Sequence, residues 1–154
     1  RDFCLSRGLG DVYKRQDNIR WIQRYDNFCR ALSRLGAAVD AFRNIHPDIQ
    51  ILEEAITEMM VQRFEYTQEL AWKVMKDYIE YIGHSNNVMG SRGAFKEALQ
   101  LGLISDPRWM DTIEIRNLSV HTYDENKILK AATLIAEIYY PLFVEFKIKM
   151  EEYI

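Results

Sequence analysis

Arg116, Asn117, His121 and Tyr123 stand within eight residues of one another, and their types suit proton transfer at a phosphate. Histidine is the side chain that titrates nearest neutral pH, which makes His121 a candidate proton shuttle. Arginine is a permanent planar cation matched to phosphate oxygens. Together the two could assist attack of an RNA 2′-hydroxyl on its neighbouring phosphate without any metal, and Tyr123 adds a hydroxyl just beyond. By spacing alone, a semi-buried histidine capping a helix C-terminus is the commoner meaning of such a pattern.

The element that must carry these residues is a helix. Asp106-Pro107 supplies a start, with aspartate as cap and proline where no donor is lost, and the helix is expected to run from Pro107 toward Val120. Trp109, Ile113, Arg116 and Val120 step by four, three and four, so they share a face on which an arginine takes an apolar position. Asn117 and His121 are neighbours on the adjoining strip. An unmet buried hydrogen bond costs roughly 1–3 kcal/mol, so polar groups there point to a polar cleft or a subunit interface. Arg116 and His121 lie about 140° apart around an ideal helix. They converge on one ligand only if the helix ends or distorts near Ser119, or if two chains combine their motifs.

The remaining elements are also helical. Trp21/Ile22, Tyr25, Phe28/Cys29, Leu32, Leu35, Val39 and Phe42 mark a helix from Asp17 that stops before Pro47. A second runs from about Asp48 to Ile82, with Gly83 at the C-cap position and a stripe that includes Leu52, Ile56, Phe64, Val74 and Tyr78. A short helix over about 91–101 and a last one over about 125–151, bent at Pro141, complete the set. Met59, Met60 and the aromatic positions are expected in the core. No segment alternates with the period of two that a strand requires. The fold class is therefore all-α, an antiparallel up-and-down four-helix bundle with one extra short helix.

Composition agrees: 48% hydrophobic and 28% charged residues with only 7 Gly and 3 Pro favour long helices. A formal charge of -3 argues against a strongly basic nucleic-acid binder but leaves a local basic site open. No stretch is long and apolar enough to span a bilayer, and no signal peptide is evident, so a cytoplasmic chain with Cys4 and Cys29 reduced is expected. No acidic–histidine cluster has ligand spacing, so neither a metal nor a cofactor is expected. Residues 1–16 show no regular periodicity, Arg1 is not a start residue, and GLGDVYKRQ resembles translated adapter sequence. They are expected to be a non-native or disordered tail before a single domain over 17–154, the alternative being a genuine flexible N-terminus.

Val61-Gln-Arg-Phe-Glu-Tyr-Thr-Gln-Glu-Leu-Ala-Trp-Lys73, followed by Gly102-Leu103-Ile104, Trp109 and Arg116-Asn117-Leu118-Ser119-Val120-His121-Thr122-Tyr123, resembles the nucleotidyltransferase substrate-binding family, a HEPN branch. The resemblance covers approximately residues 18–150. It implies a metal-independent endoribonuclease toxin, a homodimer acting on RNA and encoded beside a minimal nucleotidyltransferase antitoxin. On that resemblance Arg116 binds the scissile phosphate, Asn117 supports it and His121 is the general acid/base. Tyr123 would accept AMP from the nucleotidyltransferase, and the added bulk and charge would silence the toxin.

Two other readings stand beside this one. A non-catalytic subunit that presents a nucleotide or other substrate to the nucleotidyltransferase suits the acidic balance. A helical adaptor whose polar cluster fixes dimer register is the blander alternative. Glu65 and Glu69, four apart with Trp72 nearby, could hold Arg116 or His121 in place, although an ordinary helix salt-bridge network explains them as well. Arg63 interrupts its own apolar stripe and reads as snorkelling at the bundle edge. His46 and His84 fall in turns and are expected to be solvated.

Overall fold

The computed structural model describes residues 2–45, 50–84, 88, 90–121 and 124–154, and for 2–7 and 118–121 the backbone alone. In order come α1 (Asp2–Arg43), α2 (Gln50–Tyr81), α3 (Gly90–Leu101), a 3-10 turn (Pro107–Met110), α4 (Asp111–His121), α5 (Glu125–Leu134), a π turn (Ile135–Tyr139) and α6 (Tyr140–Glu151). Among the described residues there is no strand. Arg24 pairs with the buried Asp77 at 3.0 Å while Arg63 reaches the Arg34 carbonyl at 2.7 Å. Rising numbers on α1 thus meet falling numbers on α2, and the two are antiparallel. Contacts of Tyr25 with Lys147 and of Arg43 with Ala136 show the same relation between α1 and the α5–α6 rod. The up-and-down bundle expected from the sequence is present, with α3 as its short extra helix.

The core is aromatic. Trp21, Phe28, Phe64, Phe95, Phe143 and Phe146 are buried, and Phe64 stacks on Phe143 with centroids 5.6 Å apart. Burying each such side chain contributes about 1.5–3 kcal/mol. The stripe on α1 from Trp21 to Val39 is buried as its spacing requires, with Ile22 and Cys29 only partly so. On α2 the expectation needs correcting: Leu52 and Tyr66 are exposed, and Ile56, Met59, Trp72 and Tyr81 are only partly buried, because they lie at the margins of the stripe that packs on the other helices.

Helix ends follow local chemistry. Gly83 has φ 80° and closes α2, with the His84 N–H returning to the Ile79 carbonyl at 3.1 Å. Only a residue without a Cβ adopts that conformation cheaply. His84 is exposed, as a turn position should be, and His46 falls outside the described residues. Asp2–Gln16 continue α1 as helix, although the sequence shows no periodicity there. The stretch contains no proline, and a helix nucleated by a packed core gains one hydrogen bond per added residue. Residues 8–16 are exposed throughout and contribute nothing to the core.

The bend expected at Pro141 takes the form of a π turn. The Tyr140 N–H goes back to Ile135, and Pro141 has no N–H to offer, so the Ala136 carbonyl lacks a helical donor. Arg43 from the end of α1 donates to it at 2.7 Å. Gly36 on α1 faces the same rod so closely that a Cβ would lie 2.6 Å from the Tyr140 hydroxyl. Among the described residues no helix is long and apolar enough to cross a membrane.

Candidate functional site

The helix that carries the motif is anchored at its start. Asp106 accepts from the Arg108 N–H at 2.9 Å and from its guanidinium at 2.7 Å, and these bonds hold the Asp106 carboxyl below the usual carboxylate range. The expected single helix from Pro107 divides into a 3-10 turn and α4. Trp109 inserts between Phe95 and Phe143, with ring centroids 5.4 and 5.1 Å away. That buried ring fixes the rotation of α4 and thereby the direction in which Arg116 leaves it.

From Trp109 a buried polar chain leads to the arginine. The Thr112 hydroxyl donates to the Trp109 carbonyl at 2.6 Å, and Gln68 of α2 donates to that hydroxyl at 3.4 Å. Both side chains belong to residues with 0% exposure. The Gln68 carbonyl oxygen accepts from Arg116 Nη1 at 3.4 Å, and Glu69 Oε2 accepts from the same nitrogen. Glu69 is itself held by Lys73 at 3.1 Å and by the Trp72 indole N–H at 3.3 Å. Burial alone would raise the Glu69 carboxyl, but the hydrogen bonds from Lys73, Arg116 and Trp72 outweigh it and hold its pKa below the usual value. The carboxylate is thus ionised at neutral pH and orients the cation, while 36% of the Arg116 side chain remains exposed.

Of the expected site residues, the structure brings together Arg116 and Glu69. Glu65 lies one turn earlier on α2 and is half-buried, and Asn117 is exposed. The α4 backbone continues through His121, whose side chain is not among those described, and Tyr123 lies outside the described residues. The α4 backbone thus runs past Ser119 without ending there. The sequence reading missed Gln68 and Thr112. Gln68 follows Phe64 by four and precedes Ala71 by three, so a polar residue in the apolar stripe of α2 was the available signal.

Beyond this cluster, an open groove of about 390 Å³ separates the start of α2 from the start of α5, lined by Glu53, Glu54, Glu58 and Glu125 among others. Thr112 and Arg116 of α4 both meet α2 at Gln68 and Glu69, whereas the start of α5 shares this groove with Thr57 and Glu58.

Comparison with known proteins agrees with this architecture. The family model described as nucleotidyltransferase substrate binding protein like matches residues 23–152. A probable ribonuclease HepT from Haemophilus influenzae is 31% identical over 83 residues, which are 51% of this chain and 57% of that protein. The match thus spans little more than half of that relative's length. A solved structure from Haemophilus influenzae, described as the fold of a substrate-binding domain of a nucleotidyltransferase, superposes with a TM-score of 0.73. It is 22% identical, covers 82% of this chain and 98% of its own, and bears on the fold alone. With the family model spanning the bundle from α1 to α6, the chain belongs to the nucleotidyltransferase substrate-binding protein-like family, the HEPN-type family its motifs resemble.

Proposed function

We propose that this protein is a metal-independent endoribonuclease that acts as the toxin of a HEPN/MNT toxin–antitoxin pair. The observation that carries this reading is the placement of Arg116: a guanidinium on a half-exposed surface, oriented by Glu69 and Gln68, on the helix that also bears Asn117 and His121. In the reaction the 2′-hydroxyl oxygen of the RNA bonds to the adjacent phosphorus, and the bond from phosphorus to the 5′-oxygen of the next nucleotide breaks. His121 takes the proton from the hydroxyl, and a histidine returns one to the departing oxygen. Arg116 stabilises the charge that gathers on the phosphoryl oxygens, with Asn117 beside it. The active form is a homodimer, because two copies can face an arginine of one toward a histidine of the other across a shared cleft. Tyr123 is the acceptor of AMP: on a partner minimal nucleotidyltransferase its phenol oxygen bonds to the α-phosphorus of ATP, its proton is lost and pyrophosphate departs, and the modification blocks RNA by charge and volume. The name of the partly matching ribonuclease supports the catalytic reading.

A second reading, a non-catalytic subunit that presents a nucleotide or other substrate to the nucleotidyltransferase, is favoured by the family's description. The two are separated by incubating total RNA with purified protein in a chelator, wild type against His121→Ala. The enzyme reading expects cleavage by wild type alone. Equal cleavage by both proteins would remove His121 from catalysis, and absence of cleavage by both, with Tyr123 unmodified by intact mass, would favour the binding subunit.

A further inference from the structure

A groove of about 270 Å³ between α1 and α2 is lined by Ala31, Arg34, Met59, Gln62, Arg63 and Tyr66. Its cations stand out in an acidic chain. Arg20, Arg24, Arg30, Arg108 and Arg116 all have carboxylate partners. Among the described residues Arg34 and Arg63 have none, nor do Arg15, Arg43 and Arg92, but only Arg34 and Arg63 share one groove. Arg63 is instead held by the Arg34 backbone carbonyl at 2.7 Å. A carbonyl orients a guanidinium but brings no counter-charge, so the groove keeps two full positive charges with no acidic residue in its lining.

Tyr66 supplies the other half of the chemistry. It is 61% exposed on a helix whose other aromatic side chains are buried or partly buried, and no ring of the described residues stacks on it. An exposed aromatic face in one groove with two arginines and the amide of Gln62 has the composition that binds unpaired bases by stacking and their phosphates by charge. Tyr66 precedes Glu69 by three residues, and such neighbours on a helix have Cβ atoms about 5–6 Å apart. The groove therefore adjoins the carboxylate that carries Arg116.

We propose that this groove is a subsite for single-stranded RNA, with one base stacked on Tyr66 and the flanking phosphates on Arg34 and Arg63; as the route of the substrate strand it rests on the ribonuclease reading above. The test is fluorescence anisotropy with a labelled single-stranded RNA carrying 2′-O-methyl groups, which removes the nucleophile and makes binding independent of cleavage. Wild type, Arg34→Ala, Tyr66→Ala and Tyr66→Phe are compared across a salt series, each with its native mass measured. Arg34→Ala and Tyr66→Ala are expected to bind about tenfold more weakly, Tyr66→Phe to bind as wild type, and Arg34→Ala to lower the salt slope by about 0.7.

Equal affinity in all four proteins, or no binding by wild type, overturns the subsite. A lowered native mass in Arg34→Ala or Tyr66→Ala would also overturn it, by making the groove an interface between copies. A His121→Ala protein that still cleaves, while Tyr66→Ala has lost binding, would remove the catalytic reading and leave the subsite standing.

Discussion

Arg116, Lys73 and Trp72 all donate to the Glu69 carboxylate, and that convergence makes the residue sensitive to pH. Its pKa is depressed in the folded protein, so its contribution to stability is fully present above the ordinary glutamate value of about 4.3 and is lost as pH falls through the folded value. Glu69→Gln is expected to be about 1 kcal/mol less stable than wild type in urea at pH 7, with the two proteins converging in acid. A gap unchanged between neutral and acid pH would show that the carboxylate's charge is not what stabilises. Gln68 and Thr112 behave as a unit in the same way. Gln68→Leu should cost about 1–3 kcal/mol by stranding buried partners, and pairing it with Thr112→Val should recover most of the loss. Arg116 was legible in the sequence because a charge at an apolar position of a regular stripe is visible from spacing alone. Its partner among the candidates, Glu69, was visible only as one of two carboxylates, since the choice between them depends on how α4 is rotated.

At the scale of elements, the π turn before Pro141 and the end of α1 form one device. Arg43→Ala is expected to destabilise by about 1–3 kcal/mol, because it leaves the Ala136 carbonyl without a donor. In a Pro141→Ala background the restored N–H can serve that carbonyl, so the same change should cost measurably less. A urea-denaturation cycle of the four proteins reads the coupling directly. The bend itself was written in the sequence by a proline within a long helix. Its form was not, since the donor that makes a π turn tolerable comes from a residue 93 positions away. Gly8–Gln16 illustrate the opposite failure: no periodicity was visible because this helical stretch is exposed throughout, and periodicity records burial rather than helix.

For the whole molecule, the apolar stripes, the glycine at the end of α2 and the scarcity of breakers were enough to specify an antiparallel bundle, because few other arrangements bury four long amphipathic helices. The more exposed margin of α2 was not legible, for Met59 and Tyr66 match core residues in type and differ only in how far their neighbours cover them. Removing residues 1–16 is expected to change the stability of the bundle by less than about 0.5 kcal/mol, measured as the urea midpoint, because the residues from Gly8 to Gln16 are solvent-exposed.

The unbroken α4 backbone has a consequence for dose. Through His121 the helix holds Arg116 and His121 about 140° apart around its axis. On the two-copy reading, the complete constellation exists only when chains meet. Below the dissociation constant of the pair, total activity would then rise as the square of chain concentration, and specific activity would fall on dilution, which a dilution series of the purified protein can measure. A protein built this way is quiet when scarce and disproportionately active when abundant, so a twofold change in its synthesis would be felt as a fourfold change in its effect.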